Sequence, residues 1–368
     1  MSAKIPATIV TGFLGAGKTT LIRHMLANAE GRRIALVINE FGDLGVDGEI
    51  LKGCGEESCS EEDIVELSNG CICCTVAEDF IPTLKALLAR ENRPDHIVIE
   101  TSGLALPQPL VRAFGWPEIA GQVTVDGVVT VVDGKAAADG QFAHDLAAIE
   151  AQRRADDTLD HETPLSELFE DQLACADMIV VNKSDLLSVE EADRLAAELR
   201  EGSRDGVQIV RASQGALPIE VLLGRGAAAE RDMAARGELH HTHGEGHGHD
   251  HHHEDHEHDH DHGHGHEHGH DHGHDAFESF VVSRGEIADP ADFLARVGQT
   301  IKDHGILRLK GFAAVAGKPM RLTIQAVGPR TDSHYDRPFG SDATRETRLV
   351  VIGASGLDRA AIETALRA

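Results

Sequence analysis

A chain of 368 residues, 41% of them hydrophobic, can bury a large core, and its length favours two domains. A net charge of -28 sets it against nucleic acid, whose phosphates such a surface repels. Its longest apolar runs fall well short of a membrane span. The six cysteines are not needed as staples in a chain this long. They read instead as metal-binding or catalytic groups in a reducing compartment. Met1 to Lys4 run straight into an apolar segment with no secretory pattern, so a cytoplasmic setting is expected.

Residues 1–230 alternate short apolar runs with helical stretches. Strands are expected at Ala7–Thr11, Ile34–Asn39, His96–Glu100, Gly127–Val132, Met178–Asn182 and Val207–Arg211. Helical patterns fall between them, as at Thr19–Ala29, Ile81–Arg90 and Glu190–Arg200. β-Branched runs separated by helices predict an α/β fold with a mostly parallel sheet flanked by helices, and ligands at the C-terminal ends of its strands.

The first strand runs into Gly12-Phe13-Leu14-Gly15-Ala16-Gly17-Lys18-Thr19-Thr20. This is a complete phosphate loop between a strand and a helix, the context its chemistry needs. Gly12, Gly15, Ala16 and Gly17 let backbone N–H groups face phosphate oxygens, and the helix N-terminus adds favourable charge. Lys18 is expected on the β- and γ-phosphates, and the Thr19 hydroxyl on Mg2+. Thr20 closes the loop.

Glu40 ends the second strand. Cys54 and Cys59 follow in an insertion that reads as a solvated loop or an auxiliary site. Then comes Gly70-Cys71-Ile72-Cys73-Cys74. Thiolates this close converge on one ion if the loop curls, and a donor from elsewhere, such as Glu40, would complete a near-tetrahedral site. Cys175 reads as core.

The third strand ends in Glu100-Thr101-Ser102-Gly103. Glu100 stands where a carboxylate would hold a Mg2+-bound water, and the Gly103 amide could follow the γ-phosphate. Further on, Asn182-Lys183-Ser184-Asp185 ends another strand. Asp185 can accept from guanine N1–H and the 2-amino group, Asn182 can address the N7 and O6 edge, and the Lys183 stem can cover the ring. Adenine lacks that donor pair, so a buried carboxylate would be left unpaired against ATP. GTP is the expected nucleotide. Ala212-Ser213-Gln214 is a further candidate base loop. No residue stands out as positioning the attacking water, and slow intrinsic hydrolysis is expected.

Residues 231–275 are expected to form a disordered linker. The stretch from Glu238 to Asp275 holds eighteen of the 24 histidines among Gly, Asp and Glu, with too little apolar surface to offset its ordering entropy. It can bind Ni2+, Cu2+, Zn2+ or Co2+ without selecting among them. Structure is expected to resume over residues 276–368 as a smaller α+β domain of order β-α-β-β-β-α.

The phosphate loop, Asn39-Glu40-Phe41-Gly42, Gly70–Cys74, Glu100–Gly103, Asn182–Asp185 and the domain from Ala276 together resemble the CobW-type family of metallochaperone GTPases, over nearly the full length. The resemblance implies a P-loop GTPase domain that holds metal on thiolates of the Cys71–Cys74 motif, Cys73 and Cys74 foremost, near Mg2+-GTP. It also implies Co2+ as cargo and the aerobic cobaltochelatase, or another metal-accepting enzyme, as partner. A homo-oligomer is compatible with it. A zinc-delivering GTPase of the same family, a passive metal store built on the histidine tract, and a small-molecule kinase are the rival readings.

Overall fold

The computed structural model describes residues 4–39, 64–67, 80–155, 164–236, 277–328, 330–339 and 344–368. β1 (Ile5–Thr11) turns into α1 (Lys18–Ala27), followed by β2 (Ile34–Asn39), β3 (Ile64–Leu67), α2 (Ile81–Leu88), β4 (His96–Glu100), α3 (Pro107–Ala113) and β5 (Val123–Asp133). Next come α4 (Gly134–Ala138), α5 (Leu146–Ala155), α6 (Leu165–Cys175), β6 (Met178–Asn182), α7 (Val189–Glu201), β7 (Gln208–Arg211) and the short α8 (Ile219–Leu222).

The seven strands lie in the order β3-β2-β4-β1-β5-β6-β7. Their pairings are parallel. Ile97-Val98-Ile99 and Ile179-Val180-Val181 are buried along their whole length, because helices cover both faces of the sheet. Ile22, Met25 and Leu36 build the core on one face. Leu84, Leu110 and Phe114 build it on the other.

Two features depart from the sequence expectation. β3 is a seventh strand, four residues at the sheet edge and too short for its pattern to register. β5 starts at Val123, earlier than expected, because the register shifts opposite Ala7 and Thr8 and leaves Asp126 in a bulge. The expected start at Gly127 thus falls inside the strand.

The C-terminal unit comprises β8 (Phe277–Arg284), α9 (Pro290–His304), β9 (Arg308–Ala314), β10 (Met320–Val327), β11 (Arg330–Pro338), β12 (Thr347–Ala354) and α10 (Arg359–Arg367). Its five-stranded antiparallel sheet runs β11-β10-β9-β12-β8. The expected β-α-β-β-β-α order thus gains one strand, β11. That strand is rich in charged and polar residues because it is an edge, and Arg321 on β10 pairs across to Asp336 on it at 2.5 Å. Phe293, Val297 and Ile301 of α9 and Ile362 and Leu366 of α10 pack on one face of the sheet. Asp289 caps α9 through the Ala291 amide at 2.8 Å, and Gly305 ends it at φ 62°.

The two units pack directly on each other. Leu307 and Ile352 join the core beneath the first sheet. Arg308 donates to the carbonyl oxygens of Glu220, at 2.7 Å, and of Leu223. Gln208 Nε2 donates to the Leu307 carbonyl at 2.8 Å.

A buried polar network closes the N-terminal edge of the parallel sheet. Asp126 accepts from the amides of Gly224 and Gly226 at 2.6 and 2.8 Å. His96 Nε2 lies 4.0 Å from Asp126 and 2.8 Å from Thr8 Oγ1. Asp177 accepts from Arg204 and Arg236, each at 2.7 Å, and from the Val128 amide.

Candidate nucleotide and metal site

The chemistry gathers at the opposite edge, where β1, β4, β5 and β6 end. β1 is flanked by β4 and β5, so its outgoing turn sits centrally among these strand ends. The turn is set by Gly12, Gly15 and Gly17, at φ 132°, 77° and 100°. At Gly12 a Cβ would come within 2.1 Å of the Val131 carbonyl oxygen, so no side chain fits without moving backbone. Gly17 is the N-cap of α1 and makes no side-chain cap. The first amides of that helix are therefore left to an anion. Ala16 is buried beneath the loop and Thr20 is exposed in the first helical turn.

Lys18 lies along the loop, its Nζ donating to the carbonyls of Gly12 and Phe13 at 2.8 and 3.3 Å. Thr19 Oγ1 donates to Glu100 Oε1 at 3.2 Å. A hydroxyl and a buried carboxylate side by side form a hard oxygen pair, the donor type Mg2+ requires. Thr101 ties the end of β4 to β1, its Oγ1 donating to Thr11 Oγ1 at 2.9 Å. At Gly103 a Cβ would lie 2.8 Å from the Leu14 amide nitrogen, so this glycine lets the segment after Glu100 pack onto the phosphate loop.

Asn182 is buried and braces two loops. Its Nδ2 donates to the Ala16 carbonyl at 2.9 Å, and its Oδ1 accepts from the Gly215 amide at 3.0 Å. Lys183 adopts φ 57°, and its ammonium meets Asp133 Oδ2 at 2.6 Å. Asp185 is exposed rather than buried, and its Oδ1 accepts from Ser213 Oγ at 2.7 Å. Ser213 and Gly215 thus bring the Ala212-Ser213-Gln214 segment, the further candidate base loop, beside the Asn182–Asp185 motif. Gly215 belongs there because a Cβ would lie 2.7 Å from the backbone of Leu21.

Glu40, Cys71, Cys73 and Cys74 lie outside the described residues, as do Cys54, Cys59 and the histidine tract. Cys175 is fully buried, as expected.

Sequence reasoning missed two supporting residues. Asp133 is 2% exposed, holds the Lys183 ammonium, and caps α4 through the Ala136 amide at 3.1 Å. Its signal was legible as an acid ending an apolar strand, as Glu100 does. Gln172 is fully buried and donates to the carbonyls of Gly103 and Ala105 at 3.0 and 3.2 Å, anchoring the segment after Glu100. Nothing local marks it in the sequence.

Residues 6–211 match the CobW/HypB/UreG nucleotide-binding domain, and residues 277–368 match the cobalamin synthesis protein cobW C-terminal domain. The chain belongs to the CobW family. It is 55% identical over 368 residues to the zinc chaperone CobW of Sinorhizobium sp, covering 99% of this chain and 97% of that protein. It is 53% identical to the zinc chaperone CobW of Pseudomonas aeruginosa, covering 99% and 91%. Among solved structures, the Zn(II)-bound YjiA GTPase from E. coli aligns over 99% of this chain and 98% of that one, at 20% identity and TM-score 0.40. As a CobW-family protein with an intact phosphate loop, the chain is a GTPase.

Proposed function

We propose that this protein is a GTP-dependent metallochaperone: Mg2+-GTP assembles a thiolate site for a divalent cation, and hydrolysis releases the cation to an accepting protein. The observation that carries this reading is topological. β2 ends at Asn39 and β3 at Leu67 on the same sheet edge as the phosphate loop and Glu100. At about 4.8 Å between neighbouring strands, β2 lies about 10 Å from β1. Glu40 follows Asn39 directly, and Cys71 follows Leu67 by at most about 14 Å of chain. The ends of β2 and β3 on the phosphate-loop edge support placing Glu40 and the cysteine motif near the γ-phosphate position.

Lys18 and the loop amides would hold the β- and γ-phosphates, and Thr19 and Glu100 would hold Mg2+. When bound, that ion neutralises phosphate charge as it develops. Asp185 and Ser213 would take the guanine edge, with Asp133 holding Lys183 beside the ring. Glu40, Cys71, Cys73 and Cys74 are the proposed ligands of the cargo.

Zn2+ is the favoured cargo. The relatives that match over nearly the whole chain are named zinc chaperones, and a sulfur-rich site prefers Zn2+ to Co2+ on intrinsic affinity. Co2+ delivered to a cobaltochelatase is the second reading, supported by the description of the matching C-terminal domain. Competition of Zn2+ against Co2+ in the presence of Mg2+ and a non-hydrolysable GTP analogue separates the two. A Zn2+ preference of about tenfold or more fits the first reading. A Co2+ preference that appears only with the analogue fits the second. Thiolate-to-Co2+ charge-transfer absorption that survives in a Cys73→Ala/Cys74→Ala variant would move the metal site elsewhere.

A further inference from the structure

A cleft of about 490 Å³ opens between α4, α6 and α7, away from the strand ends that cradle phosphate. Its floor is apolar, built from Phe142, Phe169 and Leu195 among others, while Glu170, Glu198 and Glu201 line its margin. These three carboxylates are exposed, no Lys or Arg lines the cleft among the described residues, and Arg194 just outside it pairs with Glu198 at 3.9 Å. The floor reaches the phosphate loop through three rings in contact. Phe142 and Phe169 lie 5.5 Å apart, and they lie 6.1 and 5.8 Å from Phe13. Phe13 belongs to the phosphate loop, and its carbonyl accepts from Lys18.

We infer that this cleft docks a cationic, amphipathic segment of the protein that receives the metal, an inference that rests on the delivery reading above. An apolar trough between helices takes the row of apolar side chains along one face of such a segment. A margin whose three carboxylates outnumber the one cation paired to them, Arg194, selects Lys and Arg on its flanks and disfavours acidic partners. A second copy of this chain, at net charge -28, is repelled rather than attracted. Seating the segment presses on Phe142 and Phe169, and therefore on Phe13. Docking and nucleotide affinity are linked, each changing the other by the same factor.

The probe is a fluorescent helical peptide of about 18 residues, Leu on one face and Lys on the other, titrated into the full-length protein with Mg2+ and a non-hydrolysable GTP analogue. Saturable binding is expected. The exposed-site variant Glu170→Lys/Glu198→Lys/Glu201→Lys weakens it by about tenfold or more. Reversing three exposed carboxylates elsewhere, Glu91→Lys/Glu118→Lys/Asp303→Lys, weakens it by less than about threefold. In the wild type the peptide also shifts analogue affinity; in the cleft variant it does not.

Equal weakening by the two triple variants, or no binding to the wild type, overturns the proposal. A wild-type dimer broken by the cleft variant assigns the cleft to a second copy and overturns it as well. The cleft variant keeps its GTP turnover and nucleotide-linked Zn2+ affinity if the delivery reading holds. Absence of that linkage in the wild type sinks the delivery reading instead, whatever the peptide does.

Discussion

Asp185 and Ser213 meet at 2.7 Å where the guanine edge is proposed to bind, and Lys183 is held against Asp133 beside them. In the proposed role, the carboxylate's value lies in its two acceptor oxygens, which match the N1–H and 2-amino donors of guanine. Asp185→Asn replaces one acceptor by a donor, so one charge-assisted hydrogen bond worth about 1.5–3 kcal/mol is lost and the other loses its charge assistance. GTP affinity is expected to fall by about a hundredfold or more, while xanthosine triphosphate, with a carbonyl in place of the 2-amino group, gains. Competition binding with the two nucleotides reads this directly. Cys175 is a contrasting residue. Burial pushes its thiol up to about 11, so almost no thiolate exists near neutrality. Alkylation at about pH 8 followed by peptide mapping is expected to leave Cys175 unmodified in the native protein and modified in urea.

At the scale of elements, the apolar strands and the phosphate loop were legible because their patterns are local. An unbroken run such as Ile97-Val98-Ile99, or glycines at fixed spacing, needs no knowledge of distant residues. β3 and β11 were not legible, the first because four residues carry no period, the second because an edge strand is polar by necessity. The start of β5 was placed too late because the bulge at Asp126 interrupts the apolar pattern. Asp126 sits in a bulge that holds Gly224 and Gly226 from a hundred residues away, and no local pattern announces that. The same network holds His96 at the start of β4, facing Thr8 and Asp126. Burial lowers its pKa from 6.5, outweighing the opposing pull of Asp126. The unfolded chain therefore takes up a proton near pH 6.5 that the folded chain refuses, so this contribution is lost as pH falls below that value. At about pH 5.5 the loss reaches at most about 1.4 kcal/mol. Thermal melts at about pH 7.5 and 5.5 are expected to show a smaller acid destabilisation in His96→Asn than in the wild type.

Across the whole molecule, the C-terminal unit is packed on the GTPase sheet at the edge opposite the nucleotide. Arg308 carries much of that junction, donating to the Glu220 and Leu223 carbonyls while its surroundings are largely desolvated. Arg308→Ala leaves those carbonyls unmet and is expected to cost about 2–4 kcal/mol. Calorimetry is expected to show the C-terminal unit melting separately and earlier, with GTP affinity unchanged. That the two units touch at all was not legible in the sequence, since Leu307 and Ile352 look like ordinary strand residues of their own sheet. The gathering of Gly12–Thr19, Glu100 and Asn182–Asp185 on one edge was legible, because each motif ends an apolar run and parallel strands end together.

The claim that the terminal phosphate controls the cargo site is tested most directly by titrating Zn2+ into the full-length protein, in Mg2+, with GDP and with a non-hydrolysable GTP analogue. The analogue-bound form is expected to hold Zn2+ about tenfold or more tighter, with Zn2+ tightening analogue binding by the same factor. Equal Zn2+ affinity in the two nucleotide states would contradict it.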